Sequence, residues 1–386
     1  MPRSHRLLAG GMIIAAGLTA ALGFGQPAGA ADLPKATLAM LEKIGADPSI
    51  LDGTEAEMAV PGAWIEAAKK ERKVRVSGSR DAKEFAESVK PFKERYPFIN
   101  FEYTRVSYNN RVMSILLAYQ RGRVITDVMT GFGGSVADFK DANALESLKD
   151  VSNVQRVASD LMRDDDGFWV GHQVTHWCIS YNTNLIKADD LPKTWDDLLT
   201  EPAWRDSRLG LGNRPQLWVM PLWGVYGEEW AKSYVARLFA VLNPQRRREG
   251  INAMISLTAA GELYGALPGS GYRTRKEAAA GAPVSFHCPE PVPMSINLMA
   301  ILHGSPSTNA AKLFVNWTLS KEGQIAQYAA DRSAPVHVDL QGDPRFVPYA
   351  QNIKGKKLAV RSAALLEESS DRLFAMWNTY WEKSAR

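Results

Sequence analysis

Cysteine is nearly absent: the 386-residue chain has two, Cys178 and Cys288. That excludes a disulfide framework, so an apolar core must supply most of the stability. Histidine is scarce too, at six residues, and none stands in an H-E-x-x-H pair. There is no G-x-x-x-x-G-K-[ST] run and no G-x-S-x-G elbow, which excludes a nucleotide P-loop and the commonest serine-hydrolase turn. The turn from Gly131 to Val136 misses the dinucleotide fingerprint because its sixth position is valine. Charge of one sign is also lacking: 46 basic against 42 acidic residues leave a net +4, too little for a nucleic-acid footprint. After residue 30 no apolar run approaches the ~20 residues of a membrane helix. What is present is ordinary globular composition, 45% hydrophobic and 23% charged, which excludes disorder and collagen-like repeats. The length suits two lobes of normal size.

The first thirty residues stand apart. Arg3 and Arg6 precede an apolar stretch from Leu7 to Phe24, and Ala28-Gly29-Ala30 supplies a small-x-small cleavage site. This pattern predicts a signal peptide removed after Ala30, hence export to the periplasm. Residues 31–60 mix helical stretches with glycine and proline, and are expected to dock on the outside as an extension.

From residue 61 the pattern becomes strand, helix, strand, helix, strand. Val74–Val76 ends in Ser77-Gly78-Ser79. Asp81–Tyr96 carries Phe85, Val89, Phe92 and Tyr96 at helical spacing, and Pro97 stops it. Ile99–Val106 is a predicted strand, Asn109–Arg121 a helix, and Val124–Met129 a third strand before the glycine-rich turn Thr130–Ser135. Such alternation implies an α/β fold whose parallel strands offer their carboxyl ends to ligands. The loops Ser77–Arg80 and Thr130–Ser135 fall at that edge. Further on, Val174–Tyr181 and Pro283–Cys288 are predicted strands. Residues 215–242, Asn309–Ala330 and Ala363–Lys383 are predicted helices.

Several features have a plain structural reading. His172, His176 and Cys178 share a parity and would face one side of an extended strand, with His287 and Cys288 on another; core packing outweighs a soft metal site there, and no metal or cofactor is expected. Asp164-Asp165-Asp166-Gly167 lacks the closing glutamate of a calcium loop. The sequon Asn316-Trp317-Thr318 lies inside a predicted helix and is discounted. Trp218, Trp223, Tyr226 and Trp230 suit one helix face, with Trp218 at the helix start placed best to meet a ligand.

A series of motifs carries a resemblance. Tyr181-Asn182-Thr183-Asn184-Leu185, then Asp190-Leu191-Pro192-Lys193-Thr194-Trp195-Asp196-Asp197-Leu198, then Pro202-Ala203-Trp204-Arg205 resemble the signature stretch of bacterial extracellular solute-binding proteins, nearest their ferric-iron-type branch. Asn309–Phe314, Asn316-Trp317, Ser320–Gln324, Phe92–Pro97 and Gly122–Val128 continue the match in order along almost the whole chain after residue 30. The resemblance implies a two-lobed fold of the type II periplasmic-binding class. Two mixed sheets, flanked by helices, would be joined by a two-strand hinge. It also implies a monomer that closes on a small solute and passes it to an ABC-transporter permease, without catalysis. Expected boundaries are 61–175 for the first part of lobe one, 176–289 for lobe two, and 290–386 for the return to lobe one and the C-terminal helices, with the last helices on lobe two as the alternative. A sensor subunit or an enzyme on the same fold is the alternative class.

Iron receptors of that branch use a tyrosine pair in the second lobe. The matching segment here, Pro268–Arg273, holds one tyrosine, Tyr272, and the first-lobe loops offer neutral donors. These loops suit a small organic or phosphorus-containing anion better than ferric ion. The expected ligand-binding residues are Ser77, Gly78, Ser79, Arg80, Thr130 and Gly131 from the first lobe. His176, Asn213, Arg214, Trp218, Tyr272 and Arg273 complete the set. Arg80, Arg214 or Arg273 would provide a charge-assisted fork. Cys178 and Cys288 fall on the two crossing strands, where a disulfide is possible if the register sets them opposite; two packed thiols are the alternative.

Overall fold

The computed structural model describes residues 33–106, 111–132, 135–341, 343–346 and 353–382. The expected signal segment lies outside these residues. Among them, no helix is long and apolar enough to cross a membrane.

Ten strands are resolved: β1 Lys73–Gly78, β2 Asn100–Arg105, β3 Val128–Thr130, β4 Val170–Asn182, β5 Leu209–Gly212, β6 Gln245–Arg247, β7 Gly265–Ser270, β8 Val284–His287, β9 Val292–Ile301 and β10 Leu358–Arg361. Their order is β2-β1-β3-β9-β4-β7-β5-β6, with β10 beside β9 and β8 beside β4. β4 belongs to both halves. Its Val170–His176 part pairs with β9, and its Trp177–Asn182 part pairs with β7 and β8.

The apolar residues separate accordingly. Val74, Val76, Phe92, Phe314 and Trp317 gather on one half; Trp195, Trp204, Leu211, Trp218 and Tyr234 gather on the other. Two such cores on one α/β scaffold make two lobes. The chain passes between them along β4, again between β8 and β9, and a third time near β10 before the last helix. Cys178 and Cys288 are disulfide-bonded at this crossing, with Cα atoms 5.0 Å apart.

Residues 33–60 lie against the first lobe. Leu41 and Leu51 bury themselves on Ile325 and Tyr328. The C-terminal helix Ala363–Trp381 packs on the second lobe, the alternative left open for the last helices. Its Leu373, Trp377 and Trp381 join the second-lobe core.

Three expected long helices are broken, each for a local reason. Asp81–Tyr96 divides into Ala82–Ser88 and Lys90–Arg95 because Pro91 has no N–H to continue the ladder. The 215–242 stretch breaks at Gly227, φ 90°, into Pro215–Tyr226 and Glu228–Arg237. Asn309–Ala330 becomes Thr308–Leu319 and Lys321–Asp331, because the Ser320 hydroxyl caps the second helix by accepting from the Gly323 N–H. Asn316, within the sequon, is buried.

Candidate functional site

A cavity of roughly 1090 Å³ lies between the lobes. The first lobe lines it from the carboxyl ends of β1 and β3, with Ser79, Arg80, Thr130 and Gly131. β4 and β9 supply the back wall, with His172, Gln173, Thr175, Trp177 and Asn297. The second lobe lines it from the carboxyl ends of β5, β6 and β7, as the strand-to-helix rule for α/β sheets requires.

Gly78 and Gly131 shape the first-lobe wall. A Cβ on Gly78 would stand 2.4 Å from Thr130 Oγ1, and one on Gly131, φ 75°, would meet Ser79 Oγ at 3.2 Å. Only glycine lets β1 and the turn after β3 approach so closely. Ser77 is buried behind this wall and does not line the cavity.

Arg80 is held on three sides. Its Nε pairs with Asp331 Oδ2 at 2.9 Å, Nη2 donates to Gln327 Oε1 at 2.9 Å, and Nη1 reaches Ser88 Oγ at 3.3 Å. Its carbonyl accepts from Tyr103 Oη at 2.7 Å. The buried ion pair leaves this corner electrically balanced. His172 sits beside it, with Nδ1 3.2 Å from Gln327 Oε1, and burial followed by the nearby Arg80 charge pushes its pKa down to about 4.

The two walls differ in charge. On the first lobe Arg80 pairs with Asp331 and Arg105 with Asp81, and Lys83 and Glu84 also line the cavity. On the second lobe and the adjoining β10 the cavity meets Arg214, Arg273, Lys276 and Arg361, and, among the described residues, no acid. Lys276 reaches across the cleft to Glu84 Oε1 at 2.6 Å. Arg273 pairs with Glu277, one turn along its own helix, at 2.6 Å.

Helix starts differ in the same sense. The Pro215–Tyr226, Ile251–Ala259 and Gly271–Ala279 helices all bring their first turns to the cavity. Their N-cap residues, Arg214, Gly250 and Ser270, provide no side-chain cap. On the first lobe the Ala82–Ser88 helix is capped by Asp81, which accepts from the Lys83 N–H. Uncapped helix starts offer unpaired N–H groups and the positive end of the helix dipole, which attract anions.

The expected site residues therefore divide. Ser79, Arg80, Thr130, Gly131, Arg214, Tyr272 and Arg273 line the cavity, and Gly78 supports it from behind. Besides Ser77, which lies behind the wall, three others are corrected. Trp218 is fully buried, stacked on Trp195 with ring centroids 5.3 Å apart, and faces the core. Asn213 turns to the C-terminal helix, where its Oδ1 accepts from Trp377 Nε1 at 2.8 Å. His176 lies off the cavity because β4 carries a bulge between Gly171 and Gln173. The extra residue breaks the parity shared with His172, so His172, Gln173, Thr175 and Trp177 face the cleft. Burial alone pushes the His176 pKa down to about 4.

Residues that the sequence reading passed over include Gln216, Asn252, Asn297 and Asp331. Gln216 stands two positions before Trp218 at the same helix start, so the signal was present and was attached to the wrong side chain. Asn297 lies on β9, which was not recognised as a strand.

The tyrosines bear on iron. Tyr103 and Tyr272 line the cavity from opposite lobes, and burial is the main cause that pushes each up to about 12. Among the described residues the one close grouping of His, Asp and Glu is Glu57, His337 and Asp339, which do not line the cavity.

A two-lobed α/β fold with a cleft at strand carboxyl ends defines a hinged receptor for small molecules. The bacterial extracellular solute-binding protein family matches residues 76–325, and the chain belongs to it. This family serves transport by binding solutes. Among similar solved structures, iron-bound HitA from Pseudomonas aeruginosa has TM-score 0.66 and 22% identity, covering 80% of this chain and 99% of its own. AfuA from Actinobacillus pleuropneumoniae, with fructose-6-phosphate bound, has TM-score 0.64 and 16% identity, covering 81% and 99%. Trichodesmium IdiA (FutA), in complex with iron and citrate, has TM-score 0.63 and 16% identity, covering 80% and 99%. At these identities the likeness is one of fold. No curated protein matches the sequence significantly.

Proposed function

We propose that this chain is the periplasmic receptor of an ABC importer, and that it captures a small organic or phosphorus-containing anion between its lobes for a membrane permease. The observation that carries this reading is the second-lobe wall, which brings Arg214, the Glu277-paired Arg273 and three uncapped helix starts together. Ser79, Thr130 and Tyr272 complete the ligand's surroundings as hydrogen-bonding groups. Ligand contacts to both walls stabilise the closed lobes. Ferric ion suits this site poorly. It favours several anionic hard-oxygen ligands, whereas the second-lobe wall brings a single tyrosine, Tyr272, beside several cations.

The test is calorimetry with inorganic phosphate, citrate, simple phosphate esters and ferric ion on wild-type and Arg214→Ala protein. An anion binds the wild type, and Arg214→Ala weakens it by roughly ten- to a hundredfold, the value of a hydrogen bond to a charged group. Ferric binding with a tyrosinate absorption band, unaffected by Arg214→Ala, overturns the proposal.

A further inference from the structure

We infer that the second lobe carries a further anion site beside the cleft, where Arg214 and Arg248 hold a small oxyanion: sulfate, phosphate or a carboxylate group. This site has a cavity of its own and does not depend on what fills the cleft. The two cavities share one lining residue, Arg214.

Strand pairing creates the site. β5 and β6 run parallel at the edge of the sheet, with Gly212 beside Arg247. The chain therefore leaves both strands side by side, and the segments Asn213-Arg214 and Arg248-Glu249 come together. The end of the C-terminal helix, at Trp381 and Glu382, supplies a third side. The cavity among them measures roughly 370 Å³, within the range of small-molecule sites.

Its charge is unbalanced. Three arginines line this small space, Arg214, Arg247 and Arg248. Arg247 is neutralised, because its Nη2 donates to Glu249 Oε1 at 2.7 Å. Arg214 and Arg248 are exposed and, among the described residues, neither is paired with a carboxylate. Glu382 is the one acid of this lining left for the two, so positive charge stays in excess. Like charges gathered in one place repel, and an oxyanion set between them turns that repulsion into two charge-assisted pairs. Asn213 adds to the same effect. Its Oδ1 already accepts from Trp377 Nε1 at 2.8 Å, so its Nδ2 hydrogens are what it offers a guest. Two guanidinium forks and a carboxamide N–H₂ are donors throughout, and a ligand rich in acceptor oxygens with a negative charge satisfies them.

The oxyanion has two sources: a free inorganic ion, or a second acidic group of a solute that lies in the cleft and reaches past Arg214. Calorimetry at fixed ionic strength, with sulfate and citrate as probes, tests both on the full mature protein. Wild type is compared with Arg248→Ala and Arg121→Ala. Arg248 is exposed and does not line the cleft, so its replacement leaves the fold and the cleft intact. Arg121, exposed on the first lobe and outside both cavities, controls for a general change of charge. Sulfate binding about tenfold more tightly to wild type than to Arg248→Ala supports the site and makes the source a free ion. The same tenfold difference for citrate alone supports the site and makes the source an acidic group of the solute. No binding of either probe to the wild type, equal affinities of wild type and Arg248→Ala for both, or equal losses in the two arginine variants overturns the inference. Equal affinities for a probe that does bind leave the cleft reading standing.

Discussion

The first lobe and the second lobe are built from the same parts, strands delivering helices to a common edge, yet they prepare that edge oppositely. In the first lobe Arg80 is neutralised by Asp331 and the Ala82–Ser88 helix is capped by Asp81. In the second lobe the three helix starts that reach the cavity carry no side-chain cap, and the wall it forms with β10 carries more cations than the first. The second lobe pairs Arg273 with Glu277 and Lys276 with Glu84, yet it leaves its helix starts without the side-chain cap that the first lobe provides. Equivalent positions in an α/β fold therefore do not announce a binding role until their internal partners are counted.

The largest expected effect tests the seam between the two. Replacing Cys178 and Cys288 by alanine opens a closed loop spanning 110 residues, and chain entropy assigns such a loop ~4–5 kcal/mol. Urea unfolding of oxidised and double-alanine protein measures the loss. Next comes the neutralised corner. Arg80→Ala strands Asp331, 5% exposed, without its cation, and costs ~3 kcal/mol of stability. Arg214→Ala leaves the urea midpoint unchanged, so equal destabilisation by the two arginine variants would erase the contrast.

A third effect depends on acidity. His172 and His176 are held neutral in the fold, with pKa values near 4 against an ordinary value near 6.5. Between these limits the unfolded chain binds more protons than the folded one, so stability falls as the pH drops from 6.5 toward 4 and is level with respect to these groups above 6.5. His176→Gln flattens that slope, as midpoints measured across pH 4–8 will show. The smallest effect concerns the bridge between the walls. Lys276 and Glu84 are 42% and 22% exposed, so Lys276→Ala costs at most ~1 kcal/mol. Its readout is shape: small-angle scattering of the ligand-free variant shows more open lobes than the wild type.

The alternation of elements, the two crossing segments and the cleft edge at Ser79 and Thr130 were legible in the sequence because they follow from local periodicity and turn chemistry. β9 was not legible. Val292–Ile301 is buried on both faces, with neighbours on either side, and so lacks the alternation that marks a half-exposed strand. The bulge at Gly171–Gln173 was equally hidden, since it depends on pairing with β9. Trp218 was misplaced because a helix start seen alone does not say which side chains turn inward. The partners that neutralise Arg80 come from a helix some 250 residues later, and only the fold brings Asp331 to it.

The docking of the C-terminal helix has a consequence for the order in which the molecule can be finished. Trp377 stands at the centre of the second-lobe core, against Trp218 and Phe239, and its indole N–H is tied to Asn213. The second lobe begins to be laid down near Trp177, yet its hydrophobic centre is not complete until the last helix arrives. A chain that emerges from its N-terminus can seal most of the first lobe while the second still waits. The second-lobe wall is thus the last part of the protein to become solid, assembled against a first lobe already in place.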